Sequence, residues 1–404
     1  MSTAGERDRV LSGMRPTGRL HIGHYHGALK NWARLQNEYD SFFFVADWHA
    51  LTTHYEDPAI MEGNIWDMVV DWLAAGIDPE RATLFIQSRL PQHAELHLLL
   101  SMVTPLGWLE RVPSFKDQQQ RLRDRNLATY GFLGYPLLQS ADILMYRASW
   151  VPVGEDQVPH VELTREIARR FNHIFGKDAE FEEKAEQAVA KLGKKAARSF
   201  SASRQSWLRD GNETERQSAR ELLEAGQNLS AEEKERLRGY LDGGGRTILT
   251  EPKALLTRAA KLPGLDGQKM SKSYNNTISM RDEPDRVAGV IRTMPTDPAR
   301  KRRDDPGDPD KCPVWDLHQI YTEDTVRQQL AAGCRSAGIG CLDCKRPLID
   351  AVLEEQVMLQ ERARPYEEDP GQVRAIMDEG CARAEAVAAE TLREVRQVVG
   401  TVYS

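Results

Sequence analysis

One stretch near the start of the chain decides the fold: Arg9-Val-Leu-Ser-Gly-Met-Arg-Pro-Thr-Gly-Arg-Leu-His-Ile-Gly-His24. It contains a β-like run, Arg9–Leu11, and a Gly/Pro turn, Ser12–Gly18, and it opens a helical stretch, Tyr25–Gln36. A helix that begins directly after a strand and a turn presents unpaired backbone N–H groups, which together with the helix dipole attract phosphate. His21 and His24 lie about one helical turn apart at this point. Their imidazoles can therefore donate hydrogen bonds to charge that develops on a phosphoryl group.

A second stretch, Lys269-Met-Ser-Lys-Ser273, carries two lysines beside hydroxyl groups and follows the flexible run Pro263–Gly267. Ammonium groups on such a loop suit a diphosphate leaving group, because they can close on it as it departs. Each stretch alone is a modest signal. Together and in this order, the two stretches indicate transfer of a phosphoryl-containing group with diphosphate as the leaving group.

The pair resembles the two signature motifs of class I aminoacyl-tRNA synthetases, which form an aminoacyl-adenylate from ATP. Between the motifs, Tyr135–Tyr146 and Val151–Asn172 resemble the tryptophanyl and tyrosyl branch, and the tryptophanyl members more closely. Phe44–Thr53, Gly76–Glu80 and Leu84–Ser88 fit the same family. The resemblance covers nearly the whole chain outside residues 177–250. It implies an α/β fold: a Rossmann-like catalytic domain with a parallel sheet, a helical insertion and a C-terminal α-helical anticodon-binding domain.

The composition is that of an ordinary globular protein, with 404 residues, 40% hydrophobic and 28% charged. That length is enough for two domains with sizeable cores. No apolar run approaches the ~20 residues that a membrane span needs, and the N-terminus has no signal-peptide pattern. We therefore expect a cytoplasmic protein that does not contact a membrane.

The net charge of −7 is not the basic balance that is typical of nucleic-acid partners. Two local clusters are basic: Arg300–Arg303, and Arg165, Arg169 and Arg170 at helical spacing. A solvated face paired with nearby carboxylates explains either cluster as well as an RNA contact does.

The chain divides into segments of different texture. Residues 1–176 alternate β-like runs, Ser41–Ala46 and Ala82–Ile86, with helical stretches, which is typical of a parallel α/β sheet. Residues 177–250 are rich in Glu, Lys, Arg and Ala and predict a helical insertion, with a capping box at Ser230–Glu233. We interpret this insertion as a passive solvated extension in preference to a partner or tRNA contact.

Residues 251–281 return to the catalytic domain, and residues 282–404 read as a mostly helical domain. The latter ends in a long amphipathic helix, Gln372–Val399, with Gly400 as its C-cap. Within the first segment, His93–Val103 reads as a largely buried helix.

Four of the five cysteines are Cys312, Cys334, Cys341 and Cys344, with the spacing C-x21-C-x6-C-x2-C. A cytosolic enzyme rarely carries disulfides, so clustered cysteines indicate metal or redox chemistry. The C-x2-C pair alone favours zinc with four thiolate ligands, and four thiolates also suit a [4Fe–4S] cluster. One branch of the tryptophanyl-tRNA synthetases carries such a cluster in the anticodon-binding domain on nearly this spacing. The resemblance therefore favours the iron–sulfur cluster, with Zn²⁺ as the alternative.

The resemblance also implies roles for individual residues. The catalytic residues would be His21, His24, Lys269 and Lys272. The residues near ATP, which binds with Mg²⁺, would be Arg15, Pro16, Thr17, Gly23, His24, Gly154, Glu155, Asp156, Lys269, Met270, Ser271, Lys272 and Ser273. The residues of the amino-acid pocket would be His49, Tyr135, Gln139, Asp142 and Gln157. Among them, Asp142 would accept the indole N–H and Gln157 would face the ammonium group.

Two of these assignments have alternatives. Asp142 would also be explained as a carboxylate at a helix N-terminus, and Gln139 occurs in tyrosyl enzymes too. His26 points elsewhere on its helix and is given no role.

The function that the resemblance implies starts from ATP and L-tryptophan, which give tryptophanyl-adenylate and diphosphate. The acyl group then passes to tRNA(Trp), and AMP is released. A tyrosyl enzyme and a small-molecule adenylyltransferase of the same fold are the alternatives. The long helical C-terminal domain disfavours the adenylyltransferase, because such an enzyme needs no distant recognition module. The resemblance further implies a homodimer.

Overall fold

The computed structural model describes residues 7–56, 58–112, 129–177, 180–256, 262–268, 270 and 276–402. The strands are β1 (Arg9–Met14), β2 (Asp40–Val45), β3 (Ala82–Ile86), β4 (Trp150–Val153) and β5 (Lys253–Leu256). The α-helices up to the segment after β4 are α1 (Ile22–His24), α2 (Lys30–Leu35), α3 (Asp47–His54), α4 (Met61–Ala74), α5 (Gln92–Ser101), α6 (Leu106–Glu110), α7 (Tyr130–Met145) and α8 (Val158–Phe175). Those that follow are α9 (Phe181–Lys191), α10 (Lys194–Asp210), α11 (Glu213–Ala225), α12 (Ala231–Leu241), α13 (Pro284–Thr293), α14 (Pro313–Tyr321), α15 (Asp324–Arg335), α16 (Cys341–Glu368) and α17 (Pro370–Val399). A π-helical turn, Tyr25–Leu29, joins α1 to α2.

The five strands form one sheet in the order β3-β2-β1-β4-β5. Strands β2 and β3 run parallel, with Ser41 opposite Ala82 and Val45 opposite Ile86, and β1 runs parallel to β4. Every residue of β3 is buried, which is why this strand reads as a continuous apolar run rather than as an alternating one. The predicted parallel α/β sheet is confirmed.

The chain forms two compact units. Unit 1 consists of Met1–Arg7, Ser12–Gln87 and Leu256–Cys381, and unit 2 consists of Asp8–Leu11, Ser88–Leu255 and Ala382–Ser404. One buried cluster of unit 1 contains Ile22 from the first motif, Met270 from the second, and Leu317 and Val352 from the C-terminal helices α14 and α16. The two motifs therefore share a hydrophobic core with part of the helical region.

Residues 181–241 form the four helices α9–α12, so the helical character predicted for this segment is confirmed. They enclose an apolar core of their own, with Ala185, Phe200, Leu223 and Leu237 among its members. The capping box is also confirmed: the Glu233 N–H donates to Ser230 Oγ at 3.2 Å and the Ser230 N–H donates to Glu233 Oε2 at 2.9 Å.

Helix α5 departs from its prediction. It was expected to be largely buried, but Leu98 is 56% exposed and Met102, just beyond the helix, is 71% exposed. Apolar composition alone cannot show which side of a helix the rest of the chain covers. The final helix follows its prediction closely, since α17 ends at Val399 and Gly400 adopts a left-handed φ of +77°.

Within the described part of the chain, every helix is too short or too polar to cross a bilayer.

Candidate active site

The first motif is paired with the segment that follows the lysine loop, inside unit 1. The Ile22 N–H donates to the Ile278 carbonyl at 3.0 Å, and the Met280 N–H donates to the Leu20 carbonyl at 3.0 Å. His21 thereby forms an antiparallel bridge with Ser279. The structure thus brings together the His21–His24 segment and one end of the lysine loop.

Of the lysine loop itself, Lys269, Ser271, Lys272 and Ser273 lie outside the described residues. Met270 is described and is buried in the same core as Ile22. The two flanks of the loop are joined, since the Leu265 N–H donates to the Asn276 carbonyl at 2.9 Å. The loop therefore closes on itself at its base.

The imidazoles of His21 and His24 lie against each other, with ring centroids 3.8 Å apart. The backbone N–H of His21 donates to Nδ1 of His24 at 3.3 Å. Because Nδ1 accepts, the neutral His24 ring carries its proton on Nε2 and can donate from there. Gly23 permits this arrangement: a Cβ at this position would lie 2.8 Å from His21 Nδ1.

A buried ion pair fixes the residue before the motif. Asp71 accepts a hydrogen bond from the Leu20 N–H at 3.1 Å and another from Arg281 Nε at 2.7 Å. Burial raises the pKa of the Asp71 carboxyl above its ordinary value, although the charge and hydrogen bond of Arg281 oppose this. Sequence reasoning missed this pair, because Arg281 lies 210 residues from Asp71.

The predicted ATP-facing turn follows β1 in unit 1. Arg15 and Thr17 are exposed and Pro16 between them is buried. The Thr17 N–H donates to the Arg15 carbonyl at 2.9 Å, which closes the turn. His49 is buried on α3, also in unit 1.

In unit 2, helix α7 carries Tyr135, Gln139 and Asp142 on one face, since they follow at intervals of four and three residues. Asp142 is fully buried near the C-terminal end of this helix. Its interpretation as a carboxylate at a helix N-terminus is therefore wrong.

Asp142 is held by a histidine that sequence reasoning did not single out. His93 Nδ1 lies 2.7 Å from Asp142 Oδ1, and His93 Nε2 lies 2.8 Å from the Tyr146 hydroxyl. All three side chains are buried. The one sequence feature that could have pointed to His93 is its position: it is a polar residue at the start of a helix that is otherwise mostly apolar.

Gly154, Glu155, Asp156 and Gln157 follow the carboxyl end of β4 in a 3-10 turn, with Gly154 at its N-cap. Glu155 and Asp156 are exposed, and Gln157 Nε2 donates to Asp156 Oδ2 at 3.2 Å. Ligands of parallel α/β sheets bind beyond the carboxyl ends of the strands. These residues lie at such an end.

The thiols of Cys312, Cys334, Cys341 and Cys344 line one cavity in unit 1, together with Arg300 and Lys345. Cys312 is the N-cap of α14, Cys334 lies in the last turn of α15, and Cys341 and Cys344 lie in the first turn of α16. The structure thus brings together all four predicted ligands. No set of three His, Cys, Asp or Glu side chains in the described ranges has the arrangement of a formed metal site.

Free thiolates are disfavoured in this cavity, but a cation lies beside the cysteines. Burial raises the pKa of Cys344 to about 12, and the charges of the other three cysteines add to this effect. Arg300 Nη1 lies 3.9 Å from Cys334 Sγ. Arg300 Nε is buried and has no hydrogen-bond partner among the described residues. A group bound through thiolates would add negative charge beside this guanidinium, which shares the cavity with Asp297.

In the predicted basic cluster of Arg165, Arg169 and Arg170, the first two arginines are ion-paired, whereas Arg170 donates to the Val103 carbonyl. Arg165 contacts Glu162 at 3.1 Å, and Arg169 contacts Glu166 at 2.7 Å and Glu251 at 2.8 Å. The interpretation of this face as solvated and paired is the one that its contacts favour.

A family model described as tRNA synthetases class I (W and Y) matches residues 3–241 and 218–355. The chain is 61% identical over 397 residues to a tryptophan–tRNA ligase of Ralstonia nicotianae, which covers 98% of this chain and 99% of that protein. It is 41% identical over 397 residues to a tryptophan–tRNA ligase of Thermotoga maritima, covering 98% of this chain and 100% of that protein.

Among solved structures, tryptophanyl-tRNA synthetase from Campylobacter jejuni, complexed with ADP and tryptophan, is similar over 97% of this chain and 99% of that chain. The TM-score is 0.72 at 27% identity. The sheet, the motifs and these relatives agree on the Rossmann-like class I synthetase fold. The chain belongs to the class I tRNA synthetases for tryptophan and tyrosine, in the branch of the tryptophan–tRNA ligases.

Proposed function

We propose that this chain activates L-tryptophan with ATP and Mg²⁺ and then transfers the tryptophanyl group to tRNA(Trp). In the first step a carboxylate oxygen of tryptophan attacks the α-phosphorus of ATP, and the bond to diphosphate breaks. In the second step a hydroxyl of the terminal tRNA ribose attacks the carbonyl carbon, and AMP leaves. The observation that carries this proposal is the hydrogen bond between Ile22 and Ile278, which joins the first signature motif to the segment that follows the second.

The phosphate chemistry is assigned to unit 1. His24, with its proton on Nε2, and His21 donate to the α-phosphate as charge develops on it. Lys269 and Lys272 neutralise the departing diphosphate, with Met270, Ser271 and Ser273 as their neighbours. Gly23 allows the nucleotide to approach the backbone closely, and Arg15, Pro16 and Thr17 form the turn that faces ATP.

Recognition of tryptophan is assigned chiefly to unit 2. Asp142 accepts the indole N–H, and His93 orients its carboxylate by holding Oδ1. A carboxylate has about four acceptor sites, so the contact with His93 leaves it able to accept from the substrate. Tyr135 and Gln139 are assigned to the same pocket, Gln157 to the ammonium group, and Gly154, Glu155 and Asp156 to the ribose. His49 of unit 1 keeps the role in amino-acid binding that the family resemblance implies.

The same proposal assigns domains. Residues 1–176 and 251–281 form the catalytic domain, residues 177–250 form the insertion, and residues 282–404 form a helical domain that reads the anticodon. The separate apolar core of α9–α12 supports the insertion, and the helices α13–α17 support the helical character of the last segment.

We assign a [4Fe–4S] cluster to Cys312, Cys334, Cys341 and Cys344. The four thiols share one cavity with Arg300 and Lys345, and the cations fit a cluster whose thiolate ligands make it anionic. When bound, the cluster would cross-link α14, α15 and α16 at the ends that carry the cysteines. Zn²⁺ in the same four-thiolate site is the alternative outcome of a metal analysis.

The active form is proposed to be a homodimer. Leu98, Met102, Leu106 and Tyr130 of unit 2 are large apolar residues that are more than half exposed. A contiguous patch of such residues is typical of an interaction surface, and the family resemblance implies a dimer. Light scattering of the purified protein should give the mass of two chains, and a Leu98→Glu, Met102→Glu variant should give the mass of one.

Amino-acid-dependent ATP–diphosphate exchange tests the proposed function most directly. We expect exchange with tryptophan and not with tyrosine or phenylalanine. A purified protein that prefers tyrosine would be a tyrosyl enzyme, and exchange with no amino acid would contradict the proposed function.

A further inference from the structure

His26 lies two residues after the second motif histidine and has no part in the chemistry described so far. It belongs to the π-helical turn Tyr25–Leu29, and its side chain is only 7% exposed. Its Nε2 atom lies 2.9 Å from the Tyr321 hydroxyl and 2.9 Å from Glu355 Oε1. The motif helix is therefore in polar contact with α14, which ends at Tyr321, and with α16, which carries Glu355.

The Glu355 carboxylate is the centre of this network. It accepts from the Tyr321 hydroxyl at 2.7 Å, from His26 Nε2 and, on its other oxygen, from Lys30 Nζ at 3.1 Å. Lys30 Nζ also lies 3.4 Å from His26 Nδ1. Because an ammonium only donates, Nδ1 accepts and the proton of His26 is on Nε2, directed at Glu355. Each polar group of the network thus has a defined partner.

Burial alone would raise the pKa of Glu355, but the hydrogen bonds of His26 and Tyr321 and the charge of Lys30 hold it below its ordinary value. The carboxylate is therefore ionised at neutral pH. The Glu355 side chain is only 12% exposed. Its negative charge strengthens the hydrogen bonds that the carboxylate accepts.

The residue after Glu355 contacts the other side of the motif. Gln356 is fully buried, and its Nε2 donates to the Ser279 carbonyl at 2.6 Å. Ser279 is the residue that forms the bridge with His21. Adjacent residues of α16 thus contact both the helix that follows His24, through His26, and the segment that forms the bridge with His21.

We propose that Glu355, together with Tyr321 and His26, is a set of positioning residues that fixes the motif histidines for adenylate formation. The inference rests on the proposed function of His21 and His24 as donors to the α-phosphate. π-Turns occur frequently at functional sites, and this one places His26 toward Glu355 directly beside those histidines. Loss of the Glu355 charge would let the first turns of the motif helix relax.

The test is the rate of adenylate formation in a single turnover, measured by rapid quench with full-length protein, ATP and tryptophan. Glu355→Gln and Tyr321→Phe keep the size of each side chain and remove one charge or one hydroxyl. We expect the rate to fall by ~10- to 100-fold, the cost of a displacement near 1 Å in a reacting geometry. The amplitude per chain and the affinity for tryptophan alone should stay at the wild-type values.

Two comparisons separate positioning from folding. Glu354→Gln makes the same charge change at the adjacent, exposed position of α16 and should leave the rate unchanged. His26→Gln, whose amide can take the place of Nε2–H, should retain most of the rate that His26→Leu loses. A merely structural role would lower the amplitude and leave the rate of the remaining active protein intact.

The inference is overturned if Glu355→Gln and Tyr321→Phe react at the wild-type rate, or if only their amplitude falls. A wild-type protein that forms no adenylate with tryptophan would instead refute the proposed function itself.

Discussion

The backbone N–H of Ile22 donates to the carbonyl of Ile278 across 3.0 Å, although the two residues stand far apart in the sequence. Ile22 lies inside the first motif, and Ile278 follows the second motif by only a few residues. This hydrogen bond joins the first motif directly to the segment that follows the second. Changes at either motif should therefore alter the same chemical step.

The first prediction concerns Gly23. A Cβ at this position would lie 2.8 Å from His21 Nδ1, so Gly23→Ala must displace the His21 ring. We expect adenylate formation to slow by ~10²-fold, with tryptophan binding unchanged. Gly289→Ala is the control, because a Cβ there meets nothing within 4 Å and alanine favours a helix. A Gly23→Ala protein that reacts as fast as wild type would contradict the role given to His21.

The second prediction concerns the lysines of the loop. Lys269 and Lys272 should act mainly on the departing diphosphate, so replacing either by Ala should lower the rate of adenylation far more than the affinity for tryptophan. One electrostatic donor of this kind is worth ~10²–10³ in rate. Stopped-flow or quench measurements of adenylate formation check the rate. Lys194→Ala, at an exposed position of the insertion, should leave the rate of adenylation unchanged. A normal rate in both loop variants would contradict the role given to Lys269 and Lys272.

Local patterns in the sequence were enough to predict much of the fold. The buried run Ala82–Ile86 coincides with β3, and the capping box at Ser230 begins α12 as expected. Signals of this kind depend on neighbouring residues only. The four cysteines, which the sequence predicts as ligands of one metal group, line one cavity, although Cys312 lies well upstream of the others.

The polar partners of the site could not be predicted in this way. His26 meets Tyr321 and Glu355 across 295 and 329 residues of sequence, and no local pattern connects them. Likewise, His93 meets Asp142 only because α5 packs against α7. Such contacts follow from tertiary packing, so the sequence supplied the motif residues but not the side chains that hold them.

The third prediction concerns Asp142 and substrate choice. Phenylalanine has no side-chain N–H to donate to this buried carboxylate, and the loss of one hydrogen bond to a buried charged group costs roughly 1–3 kcal/mol or more. Sites that hydrogen-bond a substrate group reject analogues without it by ~10⁴–10⁵. Asp142→Ala should therefore lose most exchange with tryptophan and narrow the gap to phenylalanine. Discrimination against tyrosine, which has a hydroxyl, must come from the shape and length of the pocket.

His93 offers a matched pair for the same carboxylate. In His93→Asn the amide can still donate a hydrogen bond from near the position of Nδ1. In His93→Leu the donor is lost and an apolar side chain of similar size takes its place. We expect the Leu variant to raise KM for tryptophan in the exchange assay and the Asn variant to raise it less. Normal tryptophan activation by Asp142→Ala, or equal behaviour of the two His93 variants, would show that this pair does not recognise the substrate.

The last prediction concerns the four-cysteine cavity. If Cys312, Cys334, Cys341 and Cys344 hold a [4Fe–4S] cluster, anaerobically purified protein should be brown and contain iron and sulfide in similar amounts. Cys344→Ser should lose the colour. Cys381→Ser should keep it, because that buried thiol lies outside the residues that line the cavity. Colourless wild-type protein with one zinc per chain would identify the site as structural zinc instead.

Activity measurements distinguish a role of the four-cysteine site in tRNA recognition from a role in supporting the whole of unit 1. The cluster would cross-link helices of the proposed anticodon-binding domain, so its loss should reduce tRNA charging more than tryptophan-dependent exchange. Both activities are measured on the same Cys344→Ser preparation, with Cys381→Ser as the reference. However, α14 and α16 also carry Tyr321 and Glu355. Equal loss of both activities would mean that the cysteines support the whole of unit 1, including the motif histidines, rather than tRNA recognition alone.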